Sequence, residues 1–153
     1  MTLEQWERNS WLKRHATNRK EIANLFSVID RDLKDAGEGD ISADWKFGIA
    51  YNAVLTLCSV LLYSEGYRPG KGNLGHYYAL ASLAEIIDGR KGDIEYLQAC
   101  RAKRNTVEYD YAGGTTDSEA RELLEFAQGL RADIIEWLRV KHPELLPGKA
   151  GER

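Results

Sequence analysis

The sequence predicts an all-α protein, an antiparallel up-and-down bundle of four long helices plus a short N-terminal helix. Apolar residues recur at helical spacing through most of the 153 residues, and no run alternates polar and apolar residues for long enough to indicate a strand. Helix-capping residues precede several of these stretches, and the connections between them are of modest length. We expect a single helical domain over 1–145 and a flexible C-terminal tail over 146–153.

A capping box and an apolar stripe define the first two helices. Thr2 and Gln5 have the spacing of a capping box, which predicts a short helix beginning near the N-terminus. From about 18 to 36, apolar residues three or four positions apart form one helical face: Ile22, Leu25, Phe26, Ile29 and Leu33. This spacing predicts an amphipathic helix that ends at the glycine-containing segment 37–40.

The segment 47–64 contains no charged residue and approaches the length of a membrane span. Ser42 can cap a helix that includes this segment, and Gly66 ends it. Four polar side chains interrupt the apolar run: Asn52, Thr56, Ser59 and Tyr63. We therefore interpret the segment as the buried central helix of a soluble bundle and expect no association with a membrane.

Three further helices follow this central one. Apolar spacing predicts a helix over about 75–88, and Asp93 can cap the next helix. Thr116 and Glu119 form a second capping box, which predicts the start of a long final helix. Pro143 follows the expected end of that helix.

Composition limits the function classes. The net charge of −3 argues against a protein that binds nucleic acid through its overall charge, but cations outnumber acids between 90 and 104. Cys58 and Cys100 form neither a disulfide framework nor a zinc pattern. The three histidines lack metal-ligand spacing, so we expect no metal site and no cofactor. With no basic-then-apolar leader near Met1, the chain is expected to be cytoplasmic.

The predicted fifth helix carries an unusual polar face. On a helical wheel, the apolar positions that begin this face are followed by polar ones: Arg101, Arg104, Asn105, Glu108 and Tyr109. Such a set needs partners in a groove or an interface, because an unpaired buried polar group costs about 1–3 kcal/mol. In the alternative phase Cys100 faces the core, and Arg104 with Glu108 forms an ordinary surface ion pair. Periodicity leaves both phases open.

The run RNTVEYDY, residues 104–111, resembles the signature of HEPN domains, which are helical proteins of prokaryotic defence and toxin–antitoxin systems. Their pattern is an arginine, a polar residue, a few variable residues and then a histidine. Arg104 and Asn105 match the opening pair, and Tyr109 stands where the family has its histidine. The resemblance extends over about 42–143, including the apolar helix and the final helix.

This resemblance implies a metal-independent endoribonuclease that works as a homodimer on RNA. Arg104, Asn105 and Tyr109 are the expected catalytic residues, with the Arg104 guanidinium stabilising the negative charge that builds up on the phosphate. Arg101 and Lys103 are expected to bind RNA. A tyrosine is ionised in only about one molecule in a thousand at pH 7, a handicap of roughly 4 kcal/mol for a general base. RNA binding therefore tolerates this substitution better than cleavage does.

The resemblance also identifies Tyr111 as a candidate for modification. In HEPN toxins paired with minimal nucleotidyltransferase antitoxins, a tyrosine two residues after the motif histidine can be nucleotidylated. Tyr109 and Tyr111 reproduce that spacing. A phosphate on Tyr111 would bring negative charge beside Arg104 and compete with RNA.

Two other interpretations remain open at this stage. The domain could be a non-catalytic dimeric adaptor in which Arg104 builds an interface, or a binder of a nucleotide or another small ligand. His76, which follows a glycine-rich loop, could approach Arg104 as a replacement acid or base, or could simply be a polar residue at a helix start.

Overall fold

The computed structural model describes residues 2–72, 74–109 and 113–147, and the side chains of 106–109 lie outside that description. The elements are six α-helices, two short strands and one terminal 3₁₀ turn within these ranges. In chain order they are α1 Leu3–Arg8, β1 Leu12–Arg14, α2 Arg19–Ala36, α3 Ala43–Ser64, β2 Tyr67–Pro69, α4 Gly75–Ile86, α5 Asp93–Tyr109, α6 Asp117–Lys141 and the 3₁₀ turn Pro143–Leu145. The chain is therefore mostly helical, as the sequence predicts.

Helix starts coincide with most of the predicted caps. Thr2 and Thr116 each form a complete capping box, with Gln5 and Glu119 respectively. The Ser42 side chain accepts from the backbone N–H of the third residue of α3, which fixes the start of the central helix. Asp93 differs from expectation: it is the first residue of α5, and its carboxylate pairs with Arg90 at 3.0 Å instead of capping the helix.

The described ranges contain five helices of 12 residues or more, of which α4 is the shortest. They correspond to the five segments located one by one in the sequence, so the expected total of four long helices was one too few. Gly89, which has a positive φ of 84°, lies between α4 and α5. Because only glycine adopts this conformation readily, the two helices are separated there.

Helix α3 lies at the centre of the protein and packs against α2, α6, α4 and α5. Twelve of its 22 residues are buried. By length and composition α3 could cross a membrane, but 67% of its most apolar window is buried inside the protein, as in the core helix of a soluble domain. The amphipathic face of α2 contributes Ile22, Phe26 and Ile29 to the same core.

A two-stranded antiparallel sheet pairs β1 with β2, with Leu12 opposite Pro69 and Arg14 opposite Tyr67. This sheet is absent from the predicted bundle, because three residues per strand are too few to show an alternating pattern. The Gly70 N–H donates to the Trp11 carbonyl at 2.8 Å and continues the pairing. The sheet ends at Pro69, before the connection to α4.

The residues around the expected C-terminal limit of 145 pack against the helices. Leu145 is buried, and Leu146 packs against the core while its carbonyl accepts from the Arg19 Nε at 3.0 Å. The remainder of the predicted tail, 148–153, lies outside the described residues.

Candidate functional site

Helix α5 continues through Tyr109, so the backbone of the motif is helical from Arg104 to Tyr109. Leu97 and Cys100 are buried and turn this helix toward the core. Arg101 and Arg104 are half-buried, whereas Asn105 is exposed. The rotation of α5 about its own axis is therefore intermediate between the two alternatives that the sequence left open. The guanidinium groups of Arg101 and Arg104 lie at the edge of the core.

The Arg104 side chain lies across the ring of Tyr51 on the central helix α3. The guanidinium carbon is 5.5 Å from the ring centroid, which is the geometry of a cation–π contact. Tyr51 is fully buried, and burial raises the pKa of its hydroxyl to about 12, while the positive charges of Arg104 and Arg101 act in the opposite direction. Tyr51 is consequently a neutral phenol at physiological pH.

His76, in the first turn of α4, contacts the other end of Tyr51. The imidazole Nδ1 is 3.4 Å from the Tyr51 hydroxyl oxygen, at the long end of hydrogen bonding, and the two ring centroids are 6.1 Å apart. The residue as a whole is exposed. Desolvation of the ring is the largest cause that lowers the pKa of His76, followed by repulsion from Arg104 and Arg101. The imidazole is therefore neutral at pH 7.

Arg101 connects α5 to α4. Its Nε donates to the Gln98 side-chain oxygen at 2.9 Å, and the Gln98 amide nitrogen in turn donates to the Tyr77 carbonyl at 3.0 Å. The Arg101 guanidinium also lies 5.8 Å from the Tyr77 ring centroid. Two positive charges thus lie along one junction of three helices. We call Tyr51, His76, Arg101 and Arg104 the junction cluster.

Lys103 is directed elsewhere. Its ammonium group forms an ion pair with Glu119 at the start of α6, at 3.0 Å, and donates to the Gly114 carbonyl at 2.8 Å. Asp44 holds the same segment by accepting from the N–H groups of Gly113 and Thr115, at 2.5 and 3.1 Å. The predicted RNA-binding pair is thereby split: Arg101 belongs to the junction cluster, and Lys103 joins α5 to α6.

The remaining predicted residues are only partly described. Tyr109 is the last residue of α5, but its side chain lies outside the described residues. Tyr111, the candidate for modification, lies outside them altogether.

Sequence reasoning missed Tyr51. A tyrosine within an otherwise aliphatic helix was visible in the sequence, but nothing in the local pattern could say which polar group it would meet. His76 had been considered as a possible neighbour of Arg104, and both residues contact the Tyr51 ring. The link between them therefore depends on the packing of α3 against α4 and α5.

Both cysteines are unreactive in this arrangement. Cys58 and Cys100 are buried free thiols, and burial raises the pKa of Cys58 to about 12 and that of Cys100 to about 11. Thiols with such values are weak nucleophiles at neutral pH. Within 2–72, 74–109 and 113–147, no group of three or more His, Cys, Asp or Glu side chains is arranged to hold a metal ion.

Comparison with known proteins gives no relative from which a function could be transferred. No protein-family model, no curated protein and no solved structure matches the chain significantly. We therefore infer the function from the junction cluster and the motif residues.

Proposed function

We propose that the chain is a HEPN-like, up-and-down helical bundle that binds RNA and cleaves it without a metal ion. It acts in the cytoplasm as the toxin component of a toxin–antitoxin or defence system. The observation that carries this proposal is the position of Arg104, half-buried across the Tyr51 ring and close enough to Arg101 for both to affect the same histidine. A guanidinium held in this way is preorganised for an anion.

The chemistry needs a fixed positive charge more than it needs a metal. When a ribose 2′-hydroxyl attacks the adjacent phosphate, negative charge accumulates on the non-bridging oxygens. Arg104 remains charged at every relevant pH, and its planar fork can donate to two of these oxygens together. Contact with the buried Tyr51 ring restricts the rotamers of Arg104 and so lowers the entropy lost on binding.

The other residues of the motif have supporting roles in this proposal. Asn105 is exposed one position beyond Arg104, where its amide can contact a phosphate or a ribose. Arg101 adds positive potential and binds the neighbouring phosphate. We assign less RNA contact to Lys103, because Glu119 already offsets its charge. Tyr109 donates a hydrogen bond to the bound phosphate.

The proposal includes a homodimer, in which two copies of the Arg104 face line one groove for a single RNA strand. It also includes control by a minimal nucleotidyltransferase that modifies Tyr111. A nucleotide phosphate on that residue would bring negative charge near Arg104 and oppose RNA binding.

A second function has one observation in its favour. Leu74 and Tyr77 are 52% and 40% exposed although both are large and apolar, and Tyr77 lies against Arg101. An apolar surface beside a fixed cation is typical of the centre of a protein interface. In this alternative, the same helices form a non-catalytic dimeric adaptor.

One experiment separates the two functions. Purified protein is incubated with single-stranded RNA in EDTA, and fragments ending in 2′,3′-cyclic phosphate are sought. The RNase proposal requires that Arg104→Ala abolish these fragments, while Arg139→Ala, an exposed α6 arginine paired with Glu136, does not. Intact RNA, together with loss of the dimer in Arg104→Ala, would establish the adaptor instead.

A further inference from the structure

The proposed RNase lacks a proton acceptor at the motif position, because Tyr109 replaces the family's histidine. A base for the 2′-hydroxyl must come within about 2.6–3.2 Å of that oxygen. It must also lie close to the group that holds the phosphate, because the nucleophilic oxygen and the phosphorus belong to one nucleotide. The base must therefore lie near Arg104.

His76 shares a neighbour with Arg104. Its ring and the Arg104 guanidinium lie against the same Tyr51 ring, at 6.1 Å and 5.5 Å from its centroid. Three helices supply the three groups: α3 provides Tyr51, α4 provides His76 and α5 provides Arg104. His76 is also exposed, so a ribose from solvent can reach it.

The other two histidines of the chain are already engaged elsewhere. His15 contacts Glu21 at 2.7 Å and lies against Tyr63, and His142 contacts Glu65 at 2.8 Å. Each has a carboxylate neighbour, whereas the charged groups that act on His76 are the cations of α5, Arg101 and Arg104.

We infer that His76 takes the place of the missing motif histidine as the general base of RNA cleavage, with Tyr51 as its positioning residue. This inference rests on the proposed function and names a catalytic residue for it. When Nδ1–H donates to the Tyr51 hydroxyl oxygen, Nε2 carries the lone pair that accepts the proton. Tyr51 serves this role as a phenol that stays protonated.

The reaction balances without a co-reactant other than water. The 2′-hydroxyl proton passes to His76 as the O2′–P bond forms, and the P–O5′ bond breaks. The leaving 5′-oxygen takes a proton from solvent, and His76 then returns its proton to solvent. The products are a 2′,3′-cyclic phosphate and a 5′-hydroxyl, and nothing is oxidised or reduced.

The electrostatic environment suits a base. Among the described residues, Tyr51 on α3 contacts the imidazole, and Arg104 and Arg101 on α5 act on it through their charges. Desolvation and the two cations lower the pKa of His76, so the free imidazole is in its neutral, basic form at pH 7. The rate should therefore fall as pH decreases, with a midpoint below the ordinary histidine value.

The test compares single-turnover cleavage of RNA in EDTA by the wild type, His76→Gln and His142→Gln, the matched histidine control. Circular dichroism checks the fold of each variant, and a 2′-deoxy-substituted oligonucleotide, which cannot be cleaved, measures binding. We expect His76→Gln to lose about 10²-fold or more in rate with binding retained, since general base catalysis contributes about 10²–10⁴-fold. The fall in rate at acid pH should disappear in His76→Gln. Tyr51→Phe should shift the midpoint of that fall while leaving cleavage detectable.

Three results would overturn the inference, and they point to different failures. If the wild type cleaves and His76→Gln cleaves equally well, the base is elsewhere and the proposed function stands. If Tyr109→Phe abolishes the acid or alkaline limb while His76→Gln leaves the profile unchanged, Tyr109 is the base. If the wild type leaves RNA intact, the proposed cleavage fails and the role of His76 fails with it.

Discussion

The contact between Arg104 and Tyr51 can be tested through stability, independently of RNA. Arg104→Ala removes a guanidinium that lies 5.5 Å from the centroid of a fully buried ring. Asn105→Ala is the matched control, because Asn105 is adjacent, exposed and on the same helix. If Arg104 packs inward as described, only the first substitution should lower the free energy of unfolding appreciably.

The expected loss of unfolding free energy in Arg104→Ala follows from the contact between Arg104 and Tyr51. A cation–π pair contributes about 0.5–1 kcal/mol when exposed and about 2 kcal/mol when desolvated. Arg104 is half-buried, so we expect a loss of about 1–2 kcal/mol, and the exposed Asn105 should stay within about 0.5 kcal/mol of the wild type. For a domain of this size 1 kcal/mol lowers the Tm by about 2–4 °C, so Arg104→Ala should lower it by about 2–8 °C.

Thermal unfolding followed by circular dichroism measures this difference, at one fixed protein concentration because dimerisation would shift the Tm. A double-mutant cycle with Tyr51→Leu then isolates the pair, and its coupling energy should be at least about 0.5 kcal/mol. Equal Tm values for Arg104→Ala and Asn105→Ala, with no coupling to Tyr51, would refute the reasoning, because Arg104 would then be an ordinary surface residue.

Three further predictions concern other contacts. Arg101→Ala should weaken RNA binding and reduce the slope of log K against log salt concentration by about 0.7, measured by fluorescence anisotropy. Lys103→Ala should change this slope less, because Lys103 is already paired with Glu119. Equal changes in the two variants would contradict the different roles of Arg101 and Lys103. The pKa of His76, measured by NMR titration, should lie below the ordinary histidine value. It should rise in Arg101→Ala, because that substitution removes a nearby positive charge. An unchanged pKa in this variant would contradict the electrostatic effect of Arg101. Gly70→Ala should destabilise the fold by more than about 1 kcal/mol in urea unfolding, because the new methyl group would clash with the backbone carbonyl oxygen of Ser10. An unchanged urea midpoint would contradict this close approach.

The sequence predicted the parts of the fold that depend on local pattern. The apolar stripe of α2 and the capping boxes at Thr2 and Thr116 follow from side chains within a few residues of one another. The two-stranded sheet could not be predicted, because its strands are short and its pairing joins Leu12 to Pro69, far along the chain.

The candidate site was predictable only in part, for a related reason. The motif around Arg104 stood out in the sequence, but the rotation of α5 could not be decided, because apolar and polar residues there supported two phases. Leu97 and Cys100 settle that rotation through their burial against the other helices. The role of Tyr51 depends on three helices meeting, and no local spacing encodes that meeting.

The central claim is that the Arg104 guanidinium stabilises charge on the phosphate of an RNA that the protein cleaves. Its most direct test is the single-turnover rate of cleavage in EDTA for the wild type, Arg104→Lys and Arg104→Ala. We predict a loss of about 10²–10³-fold for alanine and a smaller loss for lysine, which keeps the charge but lacks the planar fork. Equal rates for all three proteins, or no cyclic-phosphate product from any of them, would contradict the claim.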